Sequence, residues 1–334
     1  MLKEIDSKLG FGPMSPEAVE AIIKASSILK KSFMLISTKN QIDWNGGYVN
    51  KWTTEQYVNY VNKIKKRYKN SKIFLCRDHC GPGFKNNSVE DVYNTVFDDI
   101  DNGFNLIHID FSKVSVDKKI VLEESIKIIN SILKKNNEIK IEIGTEENLG
   151  EIKKDITGIK KEFFFIKEVV KPEFFVVQTG SLVKEIYQLG YFNKPFVNEV
   201  HDFLLENNVK LKEHNSDYLN FKQISGRCGV VDALNIAPQL GIIQTQVVLN
   251  EALLYGIDIK PFLECSYKSN KWLKWLYTSN RNDKLLCSIL AGHYNFTSDE
   301  YKSMVFKINK YTDIRGTIIE KILKLVTYYS EAFN

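Results

Sequence analysis

The most informative segment of the chain reads Phe74-Leu75-Cys76-Arg77-Asp78-His79-Cys80-Gly81-Pro82-Gly83. Its apolar beginning, which extends back to Ile73, predicts a short buried strand. The Gly-Pro-Gly at the other end can continue neither a helix nor a strand. The strand therefore ends on Asp78 and His79, two side chains that can carry out chemistry. Because ligands of α/β proteins bind at the carboxyl ends of strands, this segment predicts a functional site.

Segments with the pattern of strands alternate with amphipathic helical segments, at a spacing of roughly 30–40 residues from strand to strand. The predicted strands are a weak one near Leu9 and others over residues 32–37, 72–78, 105–110, 138–144, 173–178, 209–214 and 233–236. Eight parallel strands close a barrel, so we predict an α/β fold of the (βα)8 TIM-barrel class. An open doubly wound sheet is the alternative. Its dinucleotide-binding form is disfavoured because no Gly-x-Gly-x-x-Gly follows the first strand.

The alternation of strand and helix stops after about Glu251. The remainder of the chain carries helical patterns, for example over residues 313–332. We therefore predict a barrel over residues 1–255 and a C-terminal helical extension over residues 256–334. The extension would either cap the barrel or form an oligomer contact, and the sequence leaves both roles open.

The composition is typical of a soluble globular protein, since 43% of the 334 residues are hydrophobic and 26% are charged. The formal net charge of +5 is small and dispersed, so it does not indicate a nucleic-acid partner. No apolar run approaches the ~18 residues of a membrane helix, and no apolar leader follows the first residues. The five cysteines are predicted to be free thiols, which fits a reducing compartment, and we predict a cytoplasmic protein.

Several predicted strands alternate polar and apolar residues. His108 and Asp110 share one face of their strand, and Glu142 stands between two isoleucines. Lys212 and His214 likewise share a face. Successive side chains of a strand point to opposite faces, so the apolar faces would meet the helices and the polar faces would meet inside the barrel. A purely structural barrel would be lined by Val, Ile and Leu, so this polar lining predicts a site.

The five histidines differ in position. His79 and His214 end strands among other polar residues, and we predict functional roles for both. His108 lies within a strand and is either a hydrogen-bonded lining residue or a ligand. His201 falls in a helical pattern and His293 in the helical extension, where structural roles are predicted.

Two strand-end histidines and a carboxylate from Asp110, Glu142 or Glu146 would make a divalent-metal site with open positions. Imidazole and carboxylate ligands suit Zn²⁺ and also Mn²⁺, Co²⁺ or Ni²⁺. No pair of candidate ligands stands at a diagnostic short spacing. A set of salt-bridged barrel residues without a metal is therefore the competing interpretation.

Seven short motifs follow one another along residues 10–255. They are Asn40-Gln41-Ile42-Asp43 with Gly46-Gly47-Tyr48, Arg77-Asp78-His79-Cys80-Gly81-Pro82, His108-Ile109-Asp110-Phe111-Ser112, Ile143-Gly144-Thr145-Glu146, Val177-Gln178-Thr179-Gly180, Glu213-His214-Asn215-Ser216-Asp217-Tyr218 and Ile236-Ala237-Pro238-Gln239-Leu240. Together they resemble the accessory ("non-catalytic") subunit family of class II D-tagatose-bisphosphate aldolase, which is related to metal-dependent class II aldolases and ketose 4-epimerases. The chain departs from the usual family residues at Arg77, Cys80, Thr179 and Ala237.

The resemblance implies a (βα)8 barrel that acts on a phosphorylated ketose or a related sugar. Its chemistry would make or break the C3–C4 bond of the sugar, either as aldol cleavage or as C4 epimerisation. The alternative function is a non-catalytic subunit that stabilises a partner tagatose-bisphosphate aldolase, and a sugar-binding or other isomerase barrel is a third. Retention of Asp78, His79, Glu146 and His214 favours the enzyme, because a pure scaffold has no need of polar strand ends. A homo-oligomer and a complex with an aldolase catalytic subunit are both expected assemblies.

Residue roles follow from the resemblance. A divalent metal, Zn²⁺ by preference, would be held by His79, His214 and Glu146 and would act as a Lewis acid toward the ketose. Asp78 is the predicted general base and acid for the C4 hydroxyl, and Glu146 is the second predicted catalytic residue. Backbone amides at Gly46 and Gly47 are expected at a phosphate. The side chains expected to orient substrate hydroxyls are those of Asn40, Gln41, Asp110, Gln178, Ser216 and Asp217.

Overall fold

Eight parallel strands close into a barrel in the computed structural model, which describes residues 4–115, 117–144, 155–277 and 281–334. The barrel strands are β1 (Leu9–Phe11), β2 (Ser32–Thr38), β3 (Lys72–Cys80), β4 (Leu106–Ile109), β5 (Lys140–Gly144), β6 (Phe174–Val176), β9 (Lys210–Glu213) and β10 (Ala233–Ile236), and a separate antiparallel hairpin is formed by β7 (Val183–Lys184) and β8 (Tyr187–Gln188). Closure is seen at Gly10, which is in register with Met34 of β2 and with Asn235 of β10. The predicted barrel is therefore confirmed, and the open doubly wound sheet is wrong.

Helices surround the barrel and continue beyond it. They are α1 (Pro16–Leu29), α2 (Thr54–Arg67), α3 (Val89–Asp101), α4 (Lys118–Lys135), α5 (Ile156–Lys167), α6 (Lys194–Glu206), α7 (Phe221–Ser225), α8 (Pro238–Leu254), α9 (Lys260–Lys268), α10 (Lys284–Ala291), α11 (Asp299–Ile308) and α12 (Ile314–Ala332). Ser15 caps α1 by accepting from the backbone N–H of Ala18, with Pro16 in the first helical position. No helix within the described ranges is long and apolar enough to cross a membrane.

Two apolar layers position the site. The larger layer packs the outer faces of the strands against the helices, and it includes Leu35, Ile107 and Ile141. The second fills the lower part of the barrel interior, where its members are Ile5, Met34, Ile36, Phe74, Cys76, Leu106, Phe174 and Ala233. Polar side chains lie above this floor, at the carboxyl ends of the strands. The predicted alternation of faces therefore places polar groups in the mouth of the barrel.

The last helix of the chain packs along the barrel wall. Helix α12 lies against α1 and α8, two helices that flank the first strand of the barrel. It buries Ile318, Ile322 and Val326 in the same apolar layer as those helices. The boundary near residue 255 stays a prediction, but part of the predicted extension covers the barrel itself.

Candidate metal centre

Three imidazoles and a carboxylate meet at the barrel mouth. One donor atom from each of Asp78, His79, His108 and His214 lies within 4.8 Å of all the others. Asp78 and His79 belong to β3, where the register with β4 shifts between Arg77 and Cys80. His79 has a φ of +43°, in the left-handed region that residues other than glycine rarely adopt. The irregular strand end therefore directs both side chains toward the site, as bulges beside functional sites do.

His79 is oriented by Asp110. Its Nδ1 lies 2.7 Å from Oδ2 of Asp110, and the other carboxylate oxygen accepts the backbone N–H of Ser112 at 3.0 Å. Burial alone would raise the pKa of Asp110, but the hydrogen bond and charge of His79 outweigh it and hold that pKa well below its usual range. The ionised Asp110 fixes Nδ1 as the donor, so Nε2 of His79 faces the centre.

His214 is oriented in the same way by Glu142. Nε2 of His214 donates to Oε1 of Glu142 at 2.8 Å, and Oε2 of Glu142 pairs with the ammonium of Lys212 at 2.6 Å. Burial opposes ionisation of Glu142, but Lys212 and His214 together lower its pKa to about 2. Burial lowers the pKa of His214 to about 4, so its ring is neutral at pH 7. Nδ1 of His214 then faces the centre, 3.2 Å from Nε2 of His79.

The pocket attracts positive charge. Burial would lower the pKa of His108, but the carboxylates of Asp78, Glu142 and Asp110 raise it to about 9. Nδ1 of His108 lies 3.6 Å from an oxygen of Asp78 and of Glu142, while Nε2 donates to the carbonyl of Gly144 at 2.7 Å. Burial of Asp78 is likewise outweighed by the surrounding imidazoles, which hold its pKa well below the usual range. A site with this charge pattern favours a bound cation.

The donor set fits a divalent ion. Oδ1 of Asp78 is buried and makes no hydrogen bond within the described part of the chain. The inward nitrogens of His79 and His214 are 3.2 Å apart. Two nitrogens bound to one tetrahedral zinc lie about 3.3 Å apart, since each Zn–N bond is about 2.0–2.1 Å. Carboxylate partners on the outer nitrogens are also what metal-binding histidines have.

The structure brings together part of the predicted site. Asp78, His79, His214 and Asp110 meet as expected, although Asp110 orients His79 instead of facing the centre. Glu146, predicted as a metal ligand and a catalytic residue, lies outside the described residues. Glu142, one of the three carboxylates predicted as candidate ligands, contacts His214.

Two further buried polar residues line the barrel. His108, which was predicted as either a lining residue or a ligand, belongs to the cluster. Asn235 is buried beside the interior face of the barrel, and neither polar atom of its side chain has a hydrogen bond to a described residue. A Cβ on the neighbouring Gly10 would lie 2.4 Å from Oδ1 of Asn235 and would clash with it, so only glycine at this position accommodates the amide. Both polar atoms of this amide are buried.

The backbone amides of Gly46 and Gly47 have partners within the loop after β2, and their expected role at a phosphate stays a prediction. The backbone N–H of Gly46 donates to the carbonyl of Asp43 at 2.9 Å, and that of Gly47 donates to Trp52 at 3.1 Å. The amides expected at a phosphate are therefore used within the loop. Gln41 is buried and accepts from the backbone N–H of Thr38 at 2.7 Å. Asn40 is exposed, and its amide donates to the carbonyl of Phe84.

The polar residues after β9 support the backbone. Asp217 accepts the backbone N–H of Ala237 at 3.1 Å and of Gln239 at 2.9 Å, and so binds the start of α8. Ser216 donates to Glu213 at 3.0 Å, on the outer side of the strand. Their expected contacts with substrate hydroxyls stay predictions. Gln178 is half-buried, and its side chain accepts the backbone N–H of Gly180 at 2.7 Å.

A family model matches residues 13–132 of the chain, and it describes the D-tagatose-1,6-bisphosphate aldolase subunit GatZ/KbaZ-like proteins. The match includes Asp78, His79, His108 and Asp110, and it confirms the resemblance over that part of the chain. No curated protein sequence matches the chain.

Solved structures share the fold. A probable tagatose 6-phosphate kinase from Sinorhizobium meliloti 1021 aligns with a TM-score of 0.75 at 16% identity, covering 97% of this chain and 92% of its own. The fructose-bisphosphate aldolase of Campylobacter jejuni gives 0.60 at 11% identity, covering 97% and 89%. A putative fructose-1,6-bisphosphate aldolase from Coccidioides immitis gives 0.51 at 14% identity, covering 91% and 93%. The chain therefore shares its barrel with these proteins, and over residues 13–132 it resembles the GatZ/KbaZ-like aldolase subunits.

Proposed function

We propose that this protein is a metal-dependent sugar-phosphate enzyme of the class II aldolase type, which makes or breaks the C3–C4 bond of a ketose phosphate. The observation that carries the proposal is the cluster of Asp78, His79, His108 and His214 at the barrel mouth. Its charge pattern and donor atoms suit a divalent ion, Zn²⁺ by preference. The match to an aldolase-subunit family over residues 13–132 supports the choice of chemistry.

His79 and His214 hold the ion in this proposal. The third ligand is His108, whose Nδ1 lies in the cluster and accepts the backbone N–H of His79 at 3.2 Å, or Glu146, which the sequence predicts. When bound, such an ion supplies Lewis-acid polarisation of the carbonyl and hydroxyl oxygens of the ketose. Three protein ligands leave one position of a tetrahedral site for substrate, as catalytic zinc sites require.

Asp78 moves the proton. Its carboxylate is ionised at neutral pH, since the imidazoles hold its pKa well below the usual range against the effect of burial. It accepts the C4 hydroxyl proton as the C3–C4 bond breaks, C4 becomes an aldehyde, and the electron pair of the broken bond passes to the C2 carbonyl of the ketose to give an enediolate. Returning the proton after the aldehyde adds back through its other face gives the C4 epimer, and release of the two fragments gives aldol cleavage.

Metal analysis and a retro-aldol and epimerase screen over C5–C7 ketose phosphates test the proposal. We expect about one divalent ion per chain, and Asp78→Asn should lower kcat by about 10²–10⁴-fold, the range of general acid–base catalysis, with metal binding retained. His79→Ala should lose the metal. Comparison of His108→Ala with Glu146→Gln identifies the third ligand, because only its loss weakens binding strongly.

A non-catalytic subunit is the competing function, since the matched family is described as an aldolase subunit. It predicts no turnover by the chain alone and stabilisation of a partner aldolase that survives Asp78→Asn. A chain that binds no metal and shows no activity in the screen would contradict the enzyme and favour the subunit.

A further inference from the structure

Lys212 lies inside the barrel, where the chemistry proposed above makes no use of it. The side chain is 1% exposed, as is that of Glu142, and the two form an ion pair with Nζ 2.6 Å from Oε2. Glu142 stands on β5 and Lys212 on β9, with β6 between them. The ammonium therefore crosses β6, 4.9 Å from the ring centroid of Phe174, and it also lies 3.9 Å from the sulfur of Met34.

A barrel selected only for stability would not need this pair. Apolar residues of similar volume stabilise a core as well as a buried ion pair does, or better. The neighbours below the pair are apolar already, since Met34 and Phe174 belong to the interior floor. The pair is therefore better explained by what it holds in place.

Glu142 is held at both oxygens. Oε2 pairs with Lys212, and Oε1 accepts from Nε2 of His214 at 2.8 Å. A carboxylate fixed at both oxygens cannot rotate away from the imidazole. Nε2 of His214 is then the protonated nitrogen, and Nδ1 faces the centre, 3.2 Å from Nε2 of His79.

We propose that Lys212 is a positioning residue, which acts through Glu142 to fix the ring orientation and the tautomer of His214. The inference deepens the proposed function and rests on its metal site. The tautomer of His214, however, can be measured in the metal-free protein, which separates the two proposals.

Three variants test the inference: Lys212→Met, Glu142→Gln and the double variant. The control is Lys210→Met, which removes another lysine of β9 whose partner, Glu173, lies 2.8 Å away at the opposite end of the barrel. Imidazole ¹⁵N NMR at one fixed pH reports the tautomer of His214 without metal. Absorption titration with Co²⁺ reports metal affinity, and urea unfolding of the metal-free proteins reports stability.

We expect Nε2–H of His214 to dominate in the wild type and in Lys210→Met, and to be lost or mixed in Lys212→Met. Co²⁺ should bind about 10–100-fold more weakly to Lys212→Met and to Glu142→Gln, as for other partners of metal-binding histidines. The double variant should bind Co²⁺ no more weakly than Glu142→Gln alone, because Lys212 acts only through Glu142. If Lys212→Met does not fold, the comparison of the double variant with Glu142→Gln tests the inference.

Wild-type tautomer and Co²⁺ affinity in Lys212→Met would overturn the inference and leave the proposed function standing. Losses that multiply in the double variant would also overturn it, since Lys212 would then act independently of Glu142. If the wild-type protein binds no Co²⁺ but Lys212→Met still changes the tautomer of His214, the metal site is refuted and the positioning role is kept.

Discussion

Two carboxylates at the barrel mouth illustrate how a side chain of ligand type can serve a different purpose. Asp110 and Glu142 each bond the outer nitrogen of an imidazole, at 2.7 Å to His79 and 2.8 Å to His214. Each bond decides which ring nitrogen carries the proton and which faces the centre. The same two residues would count as metal ligands by type alone.

His293 gives a prediction about acid stability. The ring is buried among aromatic side chains, 4.1 Å from the ring centroid of Tyr294, and neither nitrogen bonds to a described residue. Burial, with a contribution from the charge of Lys274, lowers its pKa to about 3. Below pH 6.5 the unfolded chain therefore binds more protons at this position than the folded chain, so stability falls as the pH falls toward 3.

Urea unfolding of metal-free wild type and His293→Phe, at pH 7.5 and 5.0, measures this effect. We expect the wild type to lose about 2 kcal/mol more than the variant between the two pH values, which is about 1.36 kcal/mol for each pH unit below 6.5. The other histidines are common to both proteins and cancel. Equal losses would show that a water or another group pairs with the ring.

The two faces of strand β3 carry different kinds of residue: Asp78 faces the barrel interior, and Arg77 faces the helices. Arg77, which the sequence analysis gave as a departure from the family that the chain resembles, lies on the outer face of the strand, toward α3. Its guanidinium binds Asp99 of α3 with two hydrogen bonds, at 2.7 and 2.6 Å, and also donates to the carbonyls of Ser37 and Ile42. The departure therefore concerns the packing of α3 on the barrel and the loop after β2.

Substitution of Arg77 should lower the stability of the protein and leave its metal affinity nearly unchanged. Arg77→Met leaves the carboxylate of Asp99 buried without its partner, which costs about 3–5 kcal/mol of unfolding free energy. Arg77→Met with Asp99→Leu should recover much of that loss. Metal affinity of the folded fraction, measured by Co²⁺ titration, should stay within about threefold of wild type. A much larger loss of affinity in the doubly substituted, stable protein would place Arg77 in the site.

The barrel elements could be predicted because each has a local cause. The helix starts at Ser15 and Thr53 are set by caps that the structure contains, and the strand patterns located every barrel strand. The hairpin of β7 and β8 was missed because two-residue strands carry no periodic pattern. Closure itself depends on register between the first and last strands, which sequence period does not encode.

The sequence indicated which types of residue stand at the strand ends of the site. It did not indicate which side chains pair with one another, because pairing depends on distances across strands, such as that between Glu142 and Lys212 on either side of β6. Asp217 accepts backbone amides at the start of α8, which the sequence did not indicate, and its expected contact with substrate stays a prediction.

Helix α12 contacts the loop beside the candidate metal centre. Tyr329 is buried against Phe11, and its hydroxyl donates to the carbonyl of Ser216 at 2.8 Å. The same oxygen accepts the backbone N–H of Leu219 at 3.2 Å. These contacts hold the loop that immediately follows His214, so the helical extension supports a proposed ligand from outside the barrel.

Tyr329→Phe tests this connection. Removing the hydroxyl leaves the buried amide of Leu219 without its acceptor, which should cost about 1–3 kcal/mol of stability, while the ring still packs on Phe11. Hydrogen exchange at Leu219 should become faster than exchange in the barrel core, because the loop opens locally. Tyr328→Phe is the matched control, since Tyr328 is the neighbouring tyrosine of α12 and its ring packs against Phe221. If exchange at Leu219 is the same in both variants, the extension packs on the barrel without supporting the site.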